Sequence, residues 1–237
     1  MYLDLHHLLY VALPLMVIMG LCQFWVRSAY AKYSKIGNAA GVTGAEAAQI
    51  ILRSAGIDGV RIEPVQGWLS DHYSPKEKVL RLSPDNYSGT SIAAVGIAAH
   101  ESGHAIQDAQ RYAPLVIRNI AVPAASIGST FGWIAVVNGA AMSTGEHVSF
   151  IAWIGLLLLG AVVFFQLVNL PVEFDASRRA LEVLPATGIL TPEETDGARS
   201  VLTAAAMTYV AATVAAIAEL LYWAWRLGLL GGSNNRE

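Results

Sequence analysis

The chain has 237 residues, enough for one sizeable domain or two small ones, and 54% of them are hydrophobic while only 14% are charged. This composition excludes an ordinary soluble domain and predicts a membrane protein. The net charge of −3 gives no indication of a nucleic-acid partner. The single cysteine, Cys22, can form neither an intrachain disulfide nor a cysteine zinc site.

Four long apolar segments predict transmembrane helices. Residues 8–26 contain no charge and, at 1.5 Å per residue, span roughly 28 Å, close to the thickness of a hydrocarbon core. The sequence before them lacks the features of a cleaved signal peptide, so we expect this segment to remain as an anchor. The other three predicted transmembrane helices are residues 115–137, 148–170 and 201–225.

Residues 27–113, between the first two predicted spans, are polar enough to form a small α+β domain. Thr43 to Glu46 reads as a capping box that opens a short amphipathic helix, and Gly56 is its expected end. Short strands are expected at residues 60–65, 67–73 and 78–82, with a turn at 74–77. The strand at 67–73 either holds an extended peptide by edge pairing or only packs the domain.

The segment after these strands carries an HExxH motif, His100-Glu101-Ser102-Gly103-His104. On an α-helix, histidines four residues apart project from the same face, so both imidazoles can reach one Zn²⁺. Glu101 lies beside them and is the expected general base for the attacking water. The apolar residues 92–99 that precede the motif are expected to form a buried core helix because the run is too short to span a membrane.

A catalytic zinc usually has a third protein ligand, and several candidates can be compared. Asp108 lies eight residues from His100, about 12 Å along a straight helix, which is too far for one site. The histidines at positions 6, 7 and 147 fall on the other side of the bilayer if the predicted spans are correct. The remaining candidates are Glu173 and His72.

Glu173 is favoured as the third ligand. It follows the third predicted span and is expected to open a helix in residues 171–200, in which Ala176 and Ala180 would let another helix approach closely. Two histidines and a glutamate on a second helix form the gluzincin arrangement. The alternative is that Glu173 is an N-terminal helix carboxylate stabilised by the helix dipole. His72 and Tyr209 could each donate to the oxyanion, but structural roles are more common for such residues.

The distribution of positive charge predicts the orientation. Thirteen of the 15 Lys and Arg residues lie in residues 27–118 and 171–200, and only Arg226 and Arg236 lie on the other side. The positive-inside rule therefore places the predicted zinc domain in the cytosol.

Two blocks of sequence resemble a known family. LRLSPDNYSGTSIAAVGIAAHESGHAIQDAQ and NLPVEFDASRRALEVL are similar to the YugP-type bacterial neutral zinc metallopeptidases, and more distantly the layout resembles HtpX-type membrane proteases. The resemblance covers nearly the whole chain. It implies a cytosol-facing metallopeptidase with His100, His104 and Glu173 on zinc and Glu101 as base. The HtpX-like pattern has an aspartate four residues after the ligand glutamate, and Ser177 occupies that place here.

Together these features predict an α-helical integral membrane protein with about four transmembrane helices and a small α+β gluzincin-like zinc domain. The expected function is zinc-dependent hydrolysis of peptide bonds, with Zn²⁺ as cofactor. Its expected partners are the lipid bilayer and a peptide or protein substrate, membrane proteins among them. Two other functional classes are compatible with a zinc site: a scaffold with structural zinc, and a zinc transporter, which would carry metal ligands along its spans.

Overall fold

The computed structural model describes residues 5–68, 70–144 and 147–230, and across them it is mostly helical with one small sheet. Two of the long helices contain a π-helical turn, at Leu8–Ala12 and Gly128–Gly132. In chain order the elements are α1 (Leu5–Tyr33), α2 (Gly44–Ser54), β1 (Arg61–Pro64), β2 (His72–Ser74), β3 (Val79–Leu82), α3 (Pro84–Tyr87), α4 (Ile92–Ala109), α5 (Ala113–Met142), α6 (Phe150–Ala186) and α7 (Pro192–Arg226).

Four helices, α1, α5, α6 and α7, are each long and apolar enough to cross a membrane by length and composition. Their outer faces expose large apolar side chains, including Met16, Ile120 and Leu157, each with 70% or more of its surface accessible. Such a surface suits lipid better than water. The predicted mostly helical fold with four long apolar helices is confirmed.

Helix α6 differs from the prediction. The sequence suggested a span at residues 148–170 and a separate helix opening near Glu173, but the structure has one helix of 37 residues that passes through Pro171 and ends at Ala186. Proline removes one backbone donor, and helices in membrane proteins tolerate this where neighbouring groups satisfy the freed carbonyl. Glu173 therefore lies inside a helix, which excludes the alternative that it is an N-terminal helix carboxylate.

The chain divides into two compact units, and each of the four long helices contributes residues to both. The first unit comprises the described parts of residues 1–20, 117–169 and 209–237 and is helical. Its buried side chains include Val136, Leu156 and Trp223. Polar side chains in this unit form hydrogen bonds between helices. His7 Nε2 on α1, for example, lies 3.0 Å from Glu219 Oε1 on α7.

The second unit comprises residues 21–116 and 170–208 and contains the three-stranded sheet. β3 is the central strand, parallel to β1 and antiparallel to β2, with Tyr73 opposite Leu80. The predicted strand at residues 67–73 is wrong over most of its length, because β2 begins only at His72. Gly67 has φ +115°, a backbone conformation that breaks a strand. Leu69 lies outside the described residues.

The predicted start and end of helix α2 are confirmed. Thr43 and Glu46 form a reciprocal capping box at the start of α2, which ends just before Gly56 at φ +66°. Thr191 and Glu194 form a second box at the start of α7. A short helix, α3, follows β3 and was not predicted.

Candidate metal centre

Helix α4 carries the HExxH motif and is held in the interior of the second unit. Ser91 caps its start by accepting a hydrogen bond from the backbone N–H of Ala94 at 3.1 Å. Its apolar first half is fully buried at Ala93 and Val95, as expected for a core helix. The two motif histidines are thus presented from a rigid element.

His100, His104 and Glu173 come together between α4 and α6. Each offers one ligand atom, and these atoms all lie within 4.8 Å of one another. Glu173 Oε2 is 3.4 Å from His100 Nε2 and 3.7 Å from His104 Nε2. Glu173 and His104 are buried and His100 is partly accessible, so a ligand could reach the group from the His100 side.

The donor set and spacing fit a zinc ion. Ligands arranged tetrahedrally at about 2.0–2.1 Å from Zn²⁺ lie about 3.4 Å from one another. The two distances from Glu173 Oε2 to the imidazole nitrogens are at or slightly above this value. Two neutral imidazoles and a carboxylate are donors that catalytic zinc commonly uses. The residues could therefore hold Zn²⁺ with only small adjustments.

The outer ring nitrogen of His100 is held by the residue four places after Glu173. His100 Nδ1 lies 3.1 Å from Ser177 Oγ. The serine stands at the place where the HtpX-like pattern has an aspartate, and it contacts His100 through a neutral hydroxyl. A neutral hydroxyl orients the ring more weakly than a carboxylate would.

The outer ring nitrogen of His104 is held by Gln107, which the sequence did not indicate as a site residue. His104 Nδ1 lies 3.0 Å from Gln107 Oε1, and the amide nitrogen of Gln107 donates to Asp175 Oδ2 at 2.9 Å. Asp175, two residues after Glu173, thus reaches His104 through Gln107. In the sequence, only the i, i+3 spacing of His104 and Gln107 on one helix could have indicated that these two side chains meet.

Close packing of α4 on α6 brings the three ligands together. A Cβ atom on Gly103 would lie 2.6 Å from the carbonyl oxygen and 3.1 Å from the Cα of Ala176, so only glycine allows this approach. Ala176 and Ala180 are both fully buried. The predicted role of these two alanines in close helix packing is confirmed.

Glu101 is buried beside the ligands. Burial raises the pKa of its carboxyl group to about 7, and the nearby Glu173 and Asp71 act in the same direction. His100 and a hydrogen bond from the backbone N–H of Tyr73 oppose the rise. The last contact connects Glu101 to strand β2.

The other candidate ligands lie elsewhere. His72 is exposed on β2, where its Nδ1 lies 2.8 Å from the carbonyl oxygen of Ser70. Asp108 accepts hydrogen bonds from Tyr73 Oη at 2.7 Å and from Lys78 Nζ at 2.5 Å. Neither belongs to the group of ligand atoms formed with Glu173.

Comparison with known proteins agrees with the geometry. The chain is 42% identical over 199 residues to the "Putative membrane protease YugP" of Bacillus subtilis strain 168, an alignment that covers 84% of this chain and 87% of that protein. No solved structure matches the chain. A family model described as "Putative neutral zinc metallopeptidase" matches residues 8–228. The protein therefore belongs to this family of neutral zinc metallopeptidases.

Proposed function

We propose that the protein is a membrane zinc metalloendopeptidase of the gluzincin type, in which His100, His104 and Glu173 hold the metal and Glu101 is the general base. The observation that carries the proposal is the buried group of three ligand atoms on two tightly packed helices. The family match over residues 8–228 supports zinc as the metal. The relative's name, a membrane protease, supports peptide hydrolysis by a membrane protein.

In this proposal zinc supplies Lewis acidity toward the scissile carbonyl and the attacking water. Glu101 takes a proton from that water through its carboxylate and later delivers it to the leaving nitrogen. The backbone N–H of Tyr73 donates to the carboxyl group of Glu101 and holds it in place. Ser177 and Gln107 keep the two imidazole rings turned toward the metal.

The proposed substrate is a peptide segment of a protein, membrane proteins included, and β2 is the proposed binding edge. β2 lies at the edge of the sheet and pairs with β3 on one side only. An extended peptide could add to its other side through backbone hydrogen bonds. Since Tyr73 of β2 contacts Glu101, a peptide bound there would pass beside the catalytic carboxylate.

A scaffold with a structural zinc site is the alternative. Structural zinc is normally held by four protein ligands and has no open position. Within the described part of the chain, the group formed by the two histidines and Glu173 has three members. Three ligands leave a coordination position for water or substrate, which favours the catalytic proposal.

The metal content of purified variants tests the ligand set. We expect wild type to bind about one zinc per chain, and His100→Ala, His104→Ala and Glu173→Ala each to lose it, because an open site with two remaining ligands has little affinity. The matched control is His72→Ala, which removes an exposed imidazole outside the group and should keep its zinc. A Glu173→Ala protein with full zinc, alongside a His72→Ala protein without it, would show that the third ligand is wrong.

A further inference from the structure

Gln107 is a fully buried polar side chain that bridges α4 and α6 one turn after His104. Its Oε1 lies 3.0 Å from His104 Nδ1, and its Nε2 lies 2.8 Å from the carbonyl oxygen of Val172 and 2.9 Å from Asp175 Oδ2. All of the polar atoms of the side chain are therefore engaged. A buried amide with three partners is rigid, since a lost bond would leave a desolvated polar group.

The contacts determine which way the amide faces. The carbonyl oxygen of Val172 can only accept hydrogen bonds. Asp175 accepts from the guanidinium groups of Arg178 and Arg179, the latter at 2.5 Å from Nε to Oδ2, so its carboxylate is ionised and also accepts only. The NH₂ group of Gln107 must therefore face both of them, which turns Oε1 toward His104.

From this arrangement we infer that Gln107 is a positioning residue that selects the tautomer of His104. Oε1 can only accept and lies 3.0 Å from Nδ1, whereas the acceptor that faces Nε2, Glu173 Oε2, is beyond hydrogen-bond distance. The hydrogen of the neutral imidazole therefore resides on Nδ1 and the lone pair resides on Nε2. Nε2 is the atom that lies 3.7 Å from Glu173 Oε2. The lone pair is thus directed at the space that the metal would fill, before any metal arrives.

Arg179 and Asp175 act on His104 only through Gln107. Arg179 donates to Asp175 and also to Gln110 Oε1 at 2.7 Å, so the carboxylate that orients the amide is itself fixed. Fixed partners beyond the ligands raise the basicity of a metal-binding imidazole and hold its ring. The chain from Arg179 to His104 therefore preorganises one zinc ligand across two helices.

The Nδ1 atoms of His100 and His104 have partners of different kinds. His100 Nδ1 contacts the hydroxyl of Ser177, which can donate as well as accept, so this contact does not select a tautomer by itself. The contacts therefore select the tautomer of His104 before metal binds, but not that of His100. Removing Gln107 should affect His104 directly and leave the contact between His100 and Ser177 in place.

This inference rests on the proposed zinc site, and zinc affinity measured with a competing chelator tests both in separable ways. We expect Gln107→Leu to weaken Zn²⁺ binding by about 10- to 100-fold, as is typical for loss of an outer-shell partner. The matched control is Gln49→Leu, the same substitution on α2 and outside the chain of contacts to His104, which should bind zinc like wild type. If His104→Ala binds zinc as tightly as wild type, the zinc site itself is wrong.

A rescue variant separates positioning from packing. Gln107→Glu keeps an acceptor for His104 but brings a second carboxylate against Asp175, so we expect it to weaken zinc binding. Combining it with Asp175→Asn restores one carboxylate and one amide with the roles exchanged, but the carbonyl oxygen of Val172 loses its donor, so we expect only part of the zinc affinity to return. Equal zinc affinities in Gln107→Leu and wild type would overturn the inference.

The tautomer can be observed without metal. In zinc-free wild type labelled with ¹⁵N-histidine, we expect the neutral His104 ring to carry its hydrogen on Nδ1, with the signal assigned by its absence in His104→Ala. In Gln107→Leu the same signal should shift toward the other tautomer. A His104 hydrogen on Nε2 in zinc-free wild type would refute the inference even if the Gln107 variants do not fold.

Discussion

The surroundings of Glu101 shift the pKa of its carboxyl group in opposite directions. Burial favours the neutral acid and raises its pKa to about 7, whereas His100 and the backbone N–H of Tyr73 favour the carboxylate. A group whose pKa lies near neutral can accept a proton in one step and return it in the next. Peptide hydrolysis requires both transfers, so its environment suits the role of general base and acid.

Replacing Glu101 by glutamine separates catalysis from metal binding. Glu101→Gln preserves size and burial but removes the base, so we expect full zinc content and hydrolysis of an unfolded protein reduced by about 10² to 10⁴-fold or more. Both quantities are measured on the purified protein in detergent. Glu77→Gln, at an exposed turn, is the control and should retain wild-type activity. Wild-type hydrolysis by Glu101→Gln would refute the proposed mechanism.

The contact between α4 and α6 determines the spacing of the ligands at the level of whole elements. Gly103 lies between the two motif histidines in sequence and faces the backbone of Ala176, three residues after Glu173. Because the obstructing atoms belong to backbone, the contact cannot be relieved by a side-chain rotation. A small increase in the distance between the helices would separate Glu173 from both imidazoles.

Gly103→Ala tests this packing because the clash and the helix propensity change its stability in opposite directions. Alanine stabilises a helix interior by about 1 kcal/mol relative to glycine, so without a clash the variant would be more stable. With the close contact we expect destabilisation by about 1–3 kcal/mol, the usual cost of overpacking, and weaker zinc retention. The measurements are the thermal midpoint and the zinc content after dialysis against a chelator.

Gly160→Ala is the matched control for that variant. A Cβ on Gly160 meets nothing within 4 Å, so only the gain in helix propensity should appear. A Gly103→Ala protein as stable as the Gly160→Ala protein, with zinc retained, would show that α4 and α6 can move apart without loss of the site.

The site residues and helix ends that could be predicted from sequence are those set within a single helix or by its place in the chain. His100 and His104 could be identified as ligands because helix periodicity places them on one face. Both capping boxes could be identified because they depend on contacts within four residues. The interpretation of Glu173 as the partner depended on its position after a span, and its side chain does lie with the histidines. These are features that short stretches of sequence determine.

The contacts of Gln107, Asp175 and Ser177 could not be predicted in the same way. They depend on which faces of α4 and α6 meet, and that depends on the close approach at Gly103. The continuity of α6 was missed because a proline usually ends a helix in soluble proteins. The short length of β2 could not be predicted because it depends on the backbone at Gly67, whose φ of +115° a strand does not adopt.

At the scale of the whole molecule, the distribution of charge and the four long helices together determine the proposed topology. If α1, α5, α6 and α7 each cross the bilayer once, residues 34–112 and 187–191 share one side, and the segment between α5 and α6 lies on the other. Residues 34–112 carry seven of the 15 lysines and arginines, whereas residues 143–149, between α5 and α6, carry none. The positive-inside rule therefore supports a cytosolic zinc site.

Cysteine labelling in intact cells tests this topology. In a Cys22→Ala background, which removes the only native thiol, a cysteine at exposed Thr144 should react with a membrane-impermeant maleimide from outside, because it lies between α5 and α6. A cysteine at exposed Lys76, in the turn between β2 and β3, should react only after lysis. The reverse pattern would place the site outside the cytosol and would contradict the positive-inside argument. Labelling of both positions in intact cells would mean that one of the four helices does not cross the membrane.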